Sequence, residues 1–159
     1  MRFTDVMTWL AVGASATLAA CAPSRPRVPT PAPEHRPAAQ PKVPMPQPAR
    51  APNWEQYQVQ AAHRLVMANP ANTYVGAVPD ELLAIPVLEI ELDADGDVKH
   101  IKVLRYPGQA LDTVQIATEA VRRAAPFGDV SRLPRPWKIV EVFLFDDNRR
   151  FKPRTLDVD

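Results

Sequence analysis

Cysteine is almost missing from this chain: there is one thiol, Cys21, in 159 residues. No disulfide can close within it, so packing must supply stability even in oxidising surroundings. Histidine is nearly as rare, at His35, His63 and His100, and none of them falls at metal-ligand spacing. His35 lies in a proline-rich stretch, His63 in a helical pattern and His100 in a strand pattern, so each reads as solvated or packed. No serine sits in a nucleophile elbow. The expectation is a protein without catalytic residues, metal, cofactor or small-molecule substrate. Net charge is also nearly absent, at +1. From Asn53 onward 13 basic residues face 16 acidic ones, which leaves no footprint for nucleic acid. The apolar run Leu10–Ala20 is too short to span a bilayer, which takes about 20 residues.

Proline is what the chain has in excess, at 19 residues, against a usual share of about 5%. About half of it falls between Pro23 and Pro52. Each proline removes an amide donor and fixes φ, and it biases its predecessor toward extended geometry. Helix and sheet are therefore excluded there. The segment reads as a solvated polyproline-II-like rod, rising ~3.1 Å per residue and reaching up to ~90 Å. Its charges are Arg25, Arg27, Arg36, Lys42 and Arg50 against Glu34 alone, and they read as keeping a spacer soluble.

The single thiol stands where the apolar run meets this spacer. The run has the length of a signal-peptide core, and small residues follow it. Leu18-Ala19-Ala20-Cys21 resembles the bacterial lipobox. The resemblance implies cleavage before Cys21, diacylglycerol on its sulfur and a third acyl chain on its new amino group. Each buried methylene adds ~0.8 kcal/mol, so two or three chains hold a protein that one would release. Ala22 stands where an aspartate would imply inner-membrane retention, so the resemblance implies the outer membrane of a Gram-negative envelope. The expected divisions are a signal peptide at 1–20, a lipidated cysteine with a disordered tether at 21–52, a folded domain at 53–146 and a frayed polar tail at 147–159.

In the domain, Asn53 and Gln56 have capping-box spacing. Trp54, Tyr57, Ala61, Leu65 and Ala68 then form one helical stripe, which ends near Asn69-Pro70. Leu88, Ile90 and Leu92 alternate with Glu89, Glu91 and Asp93, the period of a half-buried strand. Ile101 and Val103 mark a returning strand. Between them Asp93-Ala94-Asp95-Gly96-Asp97 is turn chemistry, with Gly96 suited to positive φ. A calcium loop is excluded, because Gly96 is fourth from Asp93 and not sixth. The acidic run from Glu89 to Asp97 reads as a solvated face. Leu111, Val114, Ala117 or Thr118, and Val121 predict a second helix, with Arg122 and Arg123 in its last turn, where cations suit the dipole. Trp137–Phe145 is the strongest strand signal. The prediction is an α+β fold of order α-β-β-α-β, a three-stranded sheet with its first strand in the middle and both helices on one face.

The runs ELDADGDVKHIKVL, PGQALD, IATEAVRRAAPF and PWKIVEVFLF, in that order, resemble the C-terminal domain shared by TonB and TolA proteins. The opening helix and the FKP near the C-terminus look more like TolA. The likeness covers about residues 84 to 146. Arg105-Tyr106-Pro107-Gly108 departs from the Ser-Ser-Gly common after the second strand, and the Tyr-Pro usual before the first strand is missing. The resemblance implies a periplasmic domain that binds partner proteins, one mode being strand addition at an exposed edge. Lys138, Val140, Val142 and Leu144 on the last strand are the candidate partner-binding positions; the alternative is that this strand is core. Family members that transmit force do so through a membrane-spanning helix, whereas this chain carries a lipid signal. The expectation is a lipid-anchored adaptor for periplasmic or outer-membrane proteins. The alternatives are a structural outer-membrane lipoprotein, or an energy transducer if the N-terminus stays uncleaved.

Overall fold

The computed structural model describes residues 45–157. Helix α1 spans Trp54–Ala68 and starts as its cap dictates: the Asn53 side chain accepts from the Gln56 amide at 2.9 Å. Tyr57, Ala61, Leu65 and Ala68 are buried along the expected stripe, and Asn69 caps the C-terminal end. Strands β1 (Val87–Leu92) and β2 (Val98–Arg105) form an antiparallel hairpin. Its turn is held by the Asp93 carboxylate, which accepts from the amides of Asp95 at 3.0 Å and Asp97 at 2.9 Å. Gly96 is obligatory there. Its φ is +83°, and a Cβ would lie 2.1 Å from the Gly128 carbonyl oxygen. Gly96 O in turn accepts from Phe127 N at 2.8 Å, so the turn is docked on the loop after the second helix.

Helix α2 spans Asp112–Ala124. Its buried face is Thr113, Ala117, Ala120, Val121 and Ala124, which corrects the stripe expected from Leu111: that leucine is 64% exposed. The buried residues are mostly alanines, and they share the core with Ala61, Leu65 and Ala68 of α1. Small side chains let two helices approach closely, so here shape outweighs raw hydrophobicity in choosing the face.

Strand β3 (Lys138–Phe145) lies beside β1, and both of its ladders are antiparallel. Because β1 separates them, β2 and β3 run parallel to each other, as a strand, crossover helix and strand require. The expected three-stranded sheet is corrected to four, in the order β2-β1-β3-β4. Strand β4 is Phe151–Pro153, inside the stretch read as a frayed tail. Phe151 is fully buried, with its ring centroid 5.1 Å from Phe143 and 5.6 Å from Phe145. Burying one aromatic ring removes enough apolar surface from water to order so short a strand.

Leu88, Ile90, Leu92, Ile139, Phe143 and Phe145 form the sheet side of the core, and both helices pack on that side. The opposite face carries exposed Glu91, His100, Lys102, Lys138 and Val140. Two irregularities in the β1–β2 register flank the regular pairing of Leu88–Glu91 with His100–Val103. They let Val98, Ile101 and Val103 all turn to the core side although their spacing is uneven.

Residues 45–52 have no helix or strand, yet they do not stand off in solvent. Met45 and Ala51 pack against the core. The Arg64 guanidinium, buried at the C-terminal end of α2, donates to Ala124 O and to Pro46 O, each at 2.8 Å. Arg50 pairs with Asp129 at 2.7 Å.

Candidate functional site

The sheet has two lateral edges. At one, β4 is three residues long and its outer side is taken: Tyr74 N donates to Phe151 O at 3.3 Å and Lys152 Nζ donates to Gly76 O at 3.0 Å. At the other, β2 offers eight residues and pairs only with β1 among the described residues. The direction of its backbone groups follows from the ladder. Phe143 N donates to Pro86 O and Leu92 N donates to Trp137 O, so even-numbered residues of β1 point to β3 and odd ones to β2. Lys102 and His100, opposite Glu89 and Glu91, therefore turn their backbone groups inward. Ile101 and Val103 turn theirs out, as unpaired donors and acceptors for another strand.

The side chains of this edge are basic on the outer face. Lys99, His100, Lys102 and Arg105 are all exposed. On the neighbouring strands Lys138 Nζ holds Glu89 Oε2 at 2.8 Å. That bond comes first among the causes that hold the Glu89 carboxyl below its ordinary range, against the opposing effect of burial; the charges of Lys138, Lys102 and His100 add to it.

Of the four candidate positions of β3 the structure encloses one: Leu144 lies where its strand is paired on both sides, whereas Lys138, Val140 and Val142 pair with β1 and lie beyond the reach of β4. Lys138 and Val140 are exposed on the outer face and Val142 is half-buried. Leu144 is buried, and its backbone register is with Lys152 of β4. The Val142 amide is already engaged: it donates to Glu141 Oε1 at 3.1 Å. β4 covers the Phe143–Phe145 end of this strand, and Phe151 is what orders β4.

Glu141 is the residue that sequence reasoning passed over. It sits at a core position between Ile139 and Phe143, only 4% exposed. Besides Val142 it accepts from Thr155 N at 3.2 Å, the amide of a 3-10 turn at Arg154–Leu156. Burial pushes its carboxyl above the ordinary range, and the bonds from Thr155, Val142 and Arg154 only partly offset this. The visible signal was an acid at the apolar parity of an otherwise hydrophobic strand. The role of β2 had a signal as well: lysines and an arginine spaced along a strand mark an edge.

A concavity of about 630 Å³ lies between the Pro46–Ala49 segment and α1, lined among others by Pro48, Val59, Gln60, His63 and Met67. The Gln60 Nε2 is buried without a hydrogen-bond partner. His63 is exposed on α1, and His100 is exposed on β2 opposite Glu91. The Asp93 carboxylate is spent on the hairpin turn, to which Asp95 and Asp97 give backbone groups. Among the described residues no group of three His, Cys, Asp or Glu side chains is placed to hold a metal ion, and no helix is long and apolar enough to cross a membrane. Leu18, Ala19, Ala20, Cys21 and His35 lie outside the described residues.

The fold and edge define an α+β domain: two helices over a four-stranded antiparallel sheet with one long side open. No family model, no curated protein and no solved structure matches the chain.

Proposed function

We propose that this protein is a lipid-anchored adaptor of the Gram-negative envelope, whose TonB/TolA-like domain binds periplasmic or outer-membrane proteins by adding a strand of the partner to β2. The observation that carries the reading is the open edge of β2, with the outward backbone groups of Ile101 and Val103. Strand addition draws its affinity from such groups and its specificity from the alternating side chains beside them. The lipobox-like Leu18-Ala19-Ala20-Cys21 and the proline-rich stretch after it supply the anchor and the reach.

The test is a photo-crosslinking residue placed at Val103 in living cells, with Val140 as the control position. A discrete envelope protein captured from Val103 and not from Val140 is the expected result. Capture at Val140 alone returns the contact to β3 and ends the β2 reading. The anchor is tested separately by mass spectrometry of the mature N-terminus, where an acylated Cys21 is expected and an uncleaved Met1 excludes it.

A further inference from the structure

We infer that β2 selects an extended partner segment in which acidic residues alternate with aliphatic ones; this rests on the reading of the domain as a strand-pairing adaptor. The strand that already pairs with β2 shows what its side chains accept. Across the regular register Leu88 faces Val103, Glu89 faces Lys102, Ile90 faces Ile101 and Glu91 faces His100. A strand on the open side meets the same four β2 residues from their other flank, and directly opposed side chains are the unit of sheet stabilisation.

The charges on that flank are not neutralised from within. Glu89, the acid opposite Lys102, is held by Lys138 at 2.8 Å. Among the described residues Lys99, Lys102 and Arg105 take part in no ion pair. Ile101 and Val103 are only half-buried from the core side, so aliphatic neighbours on the added strand complete their cover. A basic segment is repelled by the same row of cations, which makes the row a filter as well as an attraction. The irregularities beside Leu88 and Glu91 limit the regular reading frame to His100–Val103. Four alternating residues are therefore enough to be recognised, and a block of acids followed by a block of aliphatics is not equivalent, since the pleat sends successive side chains to opposite faces.

The experiment titrates the full chain, in detergent micelles, with three capped synthetic peptides. One alternates valine and glutamate, one alternates valine and lysine, and one has the composition of the first in two blocks. The valine–glutamate peptide is expected to bind about tenfold more tightly than either of the others, the sum of two or three cross-strand pairs. It should slow amide exchange at Ile101 and Val103, and it should weaken as salt is raised. Lys102→Glu should reverse the order of the two alternating peptides. Lys102→Gln, which adds no acid beside Glu89, should bring them to within about threefold. Tryptophan fluorescence and far-ultraviolet circular dichroism check that both variants are folded. Equal binding of the block peptide, an unchanged order in Lys102→Glu, or protection at Val140 in place of Ile101 and Val103 overturns the inference.

Cellular crosslinking separates this from the adaptor reading. A partner captured at Val103 through a segment lacking the alternation refutes the selectivity and leaves the adaptor. Peptide selectivity without any captured protein refutes the adaptor and leaves the selectivity.

Discussion

The two edges of one sheet are finished in opposite ways. The β4 edge is apolar, short and enclosed, with Phe151 buried between the rings of Phe143 and Phe145 and Thr73 bridging to its outer side. The β2 edge is long, basic and open, interrupted by two register irregularities. One is covered and the other is open. The contrast shows that an edge can be ended by burying it or by charging it, and that the charged kind leaves outward backbone groups unpaired.

The comparison breaks most completely if the closed edge is opened. Phe151→Ala removes a fully buried ring and should cost about 3–5 kcal/mol in urea unfolding. It should also uncover the end of β3 that β4 pairs with, so that exchange at Leu144 quickens before global unfolding. A loss below about 1 kcal/mol would mean that β4 contributes little and that β3 is in effect a second edge.

Next in size is the turn that brings β4 back. Asp146 accepts from the amides of Asn148 and Arg150, each at 2.9 Å, and its Oδ2 accepts from the Arg150 guanidinium at 2.8 Å. Burial raises its carboxyl, but the Arg150 amide, the Arg150 side chain and the Asn148 amide together outweigh that and hold it below the ordinary range. A lowered folded value contributes stability above the usual carboxylate range, and that contribution is lost as pH falls through the lowered value. Asp146→Asn should therefore cost about 1–2 kcal/mol at neutral pH and nearly nothing in strong acid. A pH series of unfolding midpoints reads the difference.

Much of this was legible in the sequence where local chemistry and burial agree. Asn53 with Gln56 marked the start of α1, the Asp93–Asp97 run marked a turn, and the alternation from Leu88 to Leu92 marked a strand with one buried face. The remainder depended on residues distant along the chain. Nothing near Phe151 announces a strand, because three residues ending in proline carry no period; what orders them is the pair of rings at Phe143 and Phe145. For the same reason Leu144 reads as part of an open edge, although β4 covers it; Lys138, Val140 and Val142 lie outside the pairing with β4. The α2 face turned away from Leu111 because Ala117, Ala120 and Ala124 fit against α1, and fit is not written in hydropathy. The proline-rich stretch reads as uniformly solvated, yet Arg64 captures Pro46 O at 2.8 Å, a contact that spans 18 positions.

Glu141 sharpens the comparison from within β3, because its titration runs opposite to that of Asp146. Its folded carboxyl is raised by burial. Its contribution to stability is therefore present below the ordinary carboxylate range and lost as pH rises through the raised value. Glu141→Gln keeps an oxygen for the amides of Val142 and Thr155 while removing the charge. It should gain on the order of 1 kcal/mol at neutral pH and nothing in acid. The two substitutions together should flatten the stability profile at both ends, since each carboxylate keeps its own hydrogen-bond partners.

The smallest effect belongs to the open edge. Lys102 is exposed, and Glu89 opposite it is already engaged by Lys138, so Lys102→Glu should shift stability by no more than about 0.5 kcal/mol. That near-silence is itself informative. Residues that close a domain are felt in its unfolding, whereas residues that present it are felt only when something binds. If Lys102→Glu destabilised the free protein by as much as Asp146→Asn, the basic row on β2 would be part of the structure's own balance of charge. The two edges would then differ in composition without differing in purpose.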